Sequence, residues 1–157
     1  MRKSWLFLLV LVTLSCEQRT TVELSGRSPI IFNMSGSGRL VQLTVFGPVQ
    51  EGATEDDEKN ILWQLVPIDG DGERLSNIQV IKYGVVPSGY KQVLPRMGTS
   101  VEPLLENTKY SYRFVTMNAP HASGYFEIRN GVPIKVSGPC YEDRNGKWVR
   151  IDCPDPN

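Results

Sequence analysis

The chain has 157 residues, with 17 Lys and Arg against 17 Asp and Glu, a single His and three Cys. That length suits one compact domain with its own core, and the lack of a basic excess argues against a nucleic-acid partner. One His and three Cys with no metal-ligand spacing argue against a zinc centre, and no cofactor is expected.

Met1-Arg2-Lys3 is basic, Trp5 to Val12 is an unbroken apolar run, and Thr13-Leu14-Ser15-Cys16 follows. A basic start, an apolar run too short to span a bilayer and a small residue before a processing point predict a secretory signal over residues 1–15. Ser15-Cys16 resembles the lipobox of bacterial lipoproteins, although Thr13 and Leu14 reverse its usual aliphatic-then-small order. The resemblance implies a diacylglycerol on Cys16, and Glu17 after it implies the outer membrane of a Gram-negative cell, on the periplasmic face. Each acyl methylene buried in the bilayer contributes about 0.8 kcal/mol to such an anchor. The alternative is a secreted protein cut near Ser15. Losing residues 1–15 removes Arg2 and Lys3, leaving 15 basic residues against 17 acidic ones. Cys140 and Cys153 then remain in an exported chain, which predicts a disulfide. Closing that loop of 14 residues stabilises by about 3 kcal/mol in the chain-entropy picture.

Residues 16–28 read as the lipid anchor and a polar tether, in which Val22 and Leu24 could begin an edge strand. Pro29 to Met34 is the first expected strand and Arg39 to Phe46 the second, with Val41, Leu43 and Val45 on one face. Ser35-Gly36-Ser37-Gly38 between them lacks the Lys-Ser/Thr ending of a phosphate loop, so the two segments are expected to pair as antiparallel neighbours. The acidic loop 51–58 and Asp69-Gly70-Asp71-Gly72-Glu73 both imitate calcium ligands. Neither has EF-hand spacing, so a solvated loop and a tight turn are expected. Asn60 to Pro67 places Ile61, Trp63 and Leu65 on one face, with Trp63 expected in the core.

Tyr83 to Gln92 reads Y-G-x-x-P-x-G-Y-x-Q and resembles a run in small, uncharacterised bacterial lipoproteins; it supports the anchor and adds no chemistry. Tyr83 and Tyr90 could form an aromatic platform for a sugar. Lys109 to Met117 alternates most clearly, with Tyr110, Tyr112 and Phe114 on one face and Ser111 and Arg113 on the other. Leu104, Thr108, Tyr110, Tyr112 and Phe114 together resemble the fibronectin type III pattern L-x-P-x-T-x-Y-x-V-x-V, with Glu106 in place of its Pro. That resemblance, joined by Trp63, spans roughly residues 39–128. It implies an immunoglobulin-like sandwich in which the Tyr110 hydroxyl bonds back to the preceding corner. Fold alone does not give function.

His121 and Ser123 lie two apart on a loop without a third group to orient the base, so catalysis is not expected. Asn130-Gly131 predicts a hairpin. A three-residue loop over 129–131, with Gly131 left-handed in a bulge, would place Ile128 opposite Val132 and Phe126 opposite Ile134, keeping the apolar residues together. Arg144-Asn145-Gly146-Lys147 predicts a second hairpin carrying Tyr141 and Trp148.

The expected fold is therefore all-β. It is an immunoglobulin-like, fibronectin type III-like antiparallel sandwich of seven to nine strands over residues 29–137, with a disulfide-linked hairpin appendage over 138–157. A small barrel or jelly roll is the alternative. The expected role is a non-catalytic envelope lipoprotein acting as a protein-interaction or structural module. The competing role is carbohydrate binding through Tyr90, Tyr141 or Trp148. A sugar binder needs aromatics exposed on one face, whereas a protein binder needs an apolar patch or an open sheet edge.

Overall fold

The computed structural model describes residues 18–48 and 60–138, and the backbone of 140–144 and 147–151. Its strands, in chain order, are β1 (Thr21–Ser25), β2 (Ile31–Ser35), β3 (Arg39–Phe46), β4 (Ile61–Pro67), β5 (Glu73–Arg74), β6 (Val80–Lys82), β7 (Tyr90–Leu94), β8 (Lys109–Met117), β9 (Ala122–Arg129), β10 (Val132–Val136), β11 (Cys140–Arg144) and β12 (Lys147–Ile151). There is almost no helix. One sheet runs β1-β2-β6; a larger one runs β10-β9-β8-β3-β4-β7, with β5 also paired to β3. Every pairing is antiparallel. The two sheets pack over one apolar core, as in a β-sandwich.

The alternation of β8 explains that core. Tyr110, Tyr112 and Phe114 are buried on one face, and Tyr112 and Phe114 meet Phe32 of the opposite sheet. The Phe32 ring lies 5.8 Å from Tyr112, 5.5 Å from Phe114 and 6.5 Å from Phe126, in tilted or edge-on contacts. Such geometries add about 0.5–1.5 kcal/mol each beyond the area they bury. Trp63 and Leu65 of β4 complete the floor with no exposed surface. The Tyr110 hydroxyl accepts the Leu105 N–H at 2.8 Å, tying the start of β8 to its preceding corner.

Residues 29–137 hold nine strands, and β1, from the preceding stretch, adds a tenth to the two sheets. Several expectations are corrected. β2 and β3 are not neighbours: Ser35 to Gly38 carries the chain from the small sheet to the large one, and periodicity reports which face is buried but not which strand is the partner. The β3 register with β8 shifts between Leu40 and Gln42, so Leu40 joins Leu43 and Val45 in the core and Val41 does not. A bulge of this kind reverses the alternation on one side of it. Part of the expected tether is in fact β1, and the Thr20 hydroxyl is already buried against Thr116 Oγ1 at 3.2 Å.

The β9–β10 hairpin is also tighter than expected. Arg129 lies opposite Val132, and Phe126 opposite Lys135, so the loop has two residues. Asn130 and Gly131 take φ of 52° and 75°, the paired left-handed conformation in which the turn's twist matches the strands. Turn chemistry sets the register here because β10 is an edge strand whose Ile134 stays 39% exposed. In the second hairpin Arg144 faces Lys147 and Cys140 faces Ile151. Cys16, Cys153, the side chain of Cys140 and the acidic loop 51–58 lie outside the described residues.

Candidate functional site

His121 is engaged by the backbone of β8. His121 Nδ1 accepts the Thr116 N–H at 3.0 Å, so that nitrogen carries no proton and the ring caps the end of β8. Thr116 Oγ1 in turn donates to the Ala119 carbonyl at 3.0 Å. Ser123 is exposed on β9, and no described group couples it to His121. Among the described residues no group of three or more His, Cys, Asp or Glu could hold a metal ion. Asp69 to Gly72 form a turn that leads into β5: Gly70 and Gly72 take φ of 87° and 69°, and Arg39 Nε donates to the Gly72 carbonyl at 3.0 Å.

The proposed aromatic platform does not form at Tyr90. Its ring is buried, and its hydroxyl donates to the Leu40 carbonyl at 2.8 Å while accepting the Glu73 N–H at 2.9 Å. Burial pushes that phenol above its usual range. Tyr83 is buried too, edge-on to Trp63 with centroids 5.4 Å apart. Its pKa is driven well up, chiefly by burial, then by Tyr110 and Glu102. Tyr141 and Trp148 have paired backbones, opposite Arg150 and Asp143 respectively, and their side chains lie outside what is described.

Tyr83, with Tyr110, instead holds a loop. Residues 95–108 have no regular structure, yet buried side chains pin them along their length. Gln92 accepts from Trp63 Nε1 at 3.2 Å and donates to the Pro95 and Thr99 carbonyls at 2.9 and 3.0 Å, so all of its strongest directions are used. Tyr83 donates to the Glu102 carbonyl at 2.9 Å. Glu106, at the position where the fibronectin-like pattern has Pro, accepts the Gly131 N–H and so clamps the loop to the β9–β10 turn.

This pinned loop walls a cleft of about 370 Å³ at the pole of the sandwich where β1 ends and β2 begins. Ile30, Tyr83 and Ile128 form its buried floor and Leu104 its half-buried wall. Arg27 and Glu102 stand exposed among its lining residues.

A second feature is an open strand edge. The Gln79 carbonyl accepts from Met34 N, and Tyr83 N donates to the Ile30 carbonyl. Residues 79, 81 and 83 therefore bond β2, while the N–H and C=O of Val80 and the N–H of Lys82 point away from the sheet. Among the described residues these outward groups have no partner. A shallow groove of about 600 Å³ runs beside them, lined in part by Gln79, Val80, Ser88 and Gly89. Val80 is 50% exposed, with Val85 and Val86 exposed on the turn that follows. Large apolar residues that stand exposed elsewhere in the described chain are likewise aliphatic or Met, never aromatic.

The chain matches no protein-family model, no curated protein and no solved structure. No described helix is long and apolar enough to cross a membrane.

Sequence reasoning missed Gln92, Lys135 and the β6 edge. Gln92 carried one readable signal, since a Gln on the same face of a strand as Tyr90 is a polar residue at a core position. The β6 edge carried none, because three residues show no period.

Proposed function

We propose that the chain is a non-catalytic lipoprotein of the bacterial envelope, anchored through Cys16, that takes an extended segment of a partner protein along β6. The observation that carries this reading is the β6 edge: outward backbone donors and an acceptor stand beside a groove and an exposed aliphatic side chain. An added strand supplies backbone bonds to such an edge, with alternate side chains seated beside it. The sandwich is read as fibronectin type III-like, supported by its strand order and the Tyr110 hydroxyl bond to the preceding corner. A Cys140–Cys153 disulfide would staple the C-terminal hairpin, which alone is marginally stable.

The anchor would orient the molecule. Three residues lie between Cys16 and the buried Thr20, and the four steps reach at most about 14 Å when extended. The pole holding Thr20, Thr116 and His121 would then face the bilayer and the polar cleft would face away from it. Carbohydrate binding through Tyr90, Tyr141 or Trp148 is the second reading, and of these Tyr90 is buried with its hydroxyl engaged by Leu40 and Glu73.

Two experiments test this. Intact mass and detergent partition should give a diacylglyceryl mass and membrane association for the wild type, lost in Cys16→Ala; two soluble, unmodified proteins would remove the anchor. Val80→Lys should abolish partner binding at the edge while thermal stability stays unchanged, and unaltered binding would remove the edge.

A further inference from the structure

We infer that the polar cleft is a second binding site, separate from the β6 edge, for a short peptide with free termini and an aliphatic side chain. Its volume of about 370 Å³ falls in the range of small-molecule sites and suits two or three residues. The floor of Ile30, Ile128 and Leu104 offers apolar surface to the side chain, with the Tyr83 ring beside it. The lining carries one cation and one anion, Arg27 and Glu102, and neither has an ion partner among the described residues. Two opposite charges that line one cleft without pairing with each other match a ligand that itself brings a carboxylate and an ammonium group. Arg27 takes the carboxylate, for which its planar fork is suited, and Glu102 takes the ammonium group.

The site is also preformed. Its outer wall is fixed by the Tyr83 bond to the Glu102 carbonyl and by the Leu105 bond to Tyr110. Little ordering is then needed when a ligand enters. Gly84 lines the cleft, and a Cβ placed there would meet only Val101 Cβ, at 3.8 Å.

The test is calorimetric titration of the folded protein with Leu-Leu and Leu-Leu-Leu, each with free ends and with acetylated and amidated ends. Free peptides should bind with one site per chain, and blocking either end should weaken binding at least tenfold. Arg27→Glu and Glu102→Lys are surface changes that leave the fold intact; each should weaken binding at least tenfold, with Arg27→Glu acting on the carboxylate end. If blocked peptides bind as well as free ones, the site reads an internal segment and the assignment of the two charges is wrong. No binding by any peptide, or binding unchanged in both variants, overturns the proposal. Because Val80 does not line the cleft, Val80→Lys should leave peptide binding unchanged.

Discussion

The two sides of the sandwich are finished in opposite ways. On one, β1 and β10 close against each other: Lys135 lies opposite Phe126 on the core-facing side and its ammonium donates to the Val22 carbonyl at 2.9 Å. Pro133, opposite Ile128, occupies a position of β10 that does not bond β9, so its missing N–H leaves no gap in the ladder and removes a donor from the edge. A lysine on an edge strand and a proline on its rim are among the devices by which sheets refuse a further strand. On the other side β6, a three-residue strand ending in the exposed Lys82, has no proline and no lysine bonded across to the other sheet, and its rim presents Val80 and Lys82 backbone groups next to a groove. Edges open to addition are usually suppressed, and the proposal that β6 takes a partner strand rests on this contrast with the β1–β10 side.

If both sides rest on one core, damage to that core must open them together. Phe32→Ala removes the ring that meets Tyr112, Phe114 and Phe126 and should cost about 3–5 kcal/mol. Urea titration measures the loss, and hydrogen exchange should show β1 and β6 losing protection in parallel; loss on one side alone would break the single-core description.

Gln92→Leu separates the sides. It leaves the Trp63 N–H and two carbonyls without their partner, a loss of about 1–3 kcal/mol. Amides of residues 95–102 should exchange faster while those of β1 and β10 do not change.

High pH acts on buried phenols on the β6 side and in the centre. Burial raises the pKa of Tyr83, Tyr90 and Tyr112 in the folded chain, whereas unfolded tyrosine ionises near pH 10. Their contribution is therefore complete below about pH 10 and is lost as pH rises through the folded values, since the unfolded chain then holds fewer protons. The urea midpoint should stay flat from neutral pH to about 9.5 and fall above it, with phenolate absorbance appearing together with unfolding. A midpoint that holds while phenolate absorbance rises would show that these hydroxyls ionise in the folded state.

Lys135→Ala has the smallest effect on stability, under about 1 kcal/mol for an exposed ammonium. Its effect on the comparison is larger: β1 and β10 should begin to accept strands, seen as concentration-dependent association in sedimentation. A variant that stays monomeric would mean Pro133 alone suffices.

How much of this the sequence carried depends on what each pattern encodes. The β8 alternation and Trp63 were legible because a period of two states directly which side chains are buried. The partner of β2 was not, since the Ser-Gly-Ser-Gly turn is compatible with pairing or with crossing between sheets. The Asn130–Gly131 register followed backbone conformation over apolar matching, because the far strand has little core to match. Tyr90 read as a platform because a tyrosine with both hydroxyl directions satisfied looks the same in sequence as an exposed one. The polar cleft joins residues from four separate stretches, and no local pattern brings Arg27 to Glu102.

The most direct measurement is photo-crosslinking in the cell envelope with a reactive side chain at Val80 or, in parallel, at Ile134. The two positions are similarly exposed, 50% and 39%, and lie on the open and the closed edge. The account predicts one discrete protein adduct from position 80 and none from 134. Equal adducts from both, or an adduct from 134 alone, would contradict it.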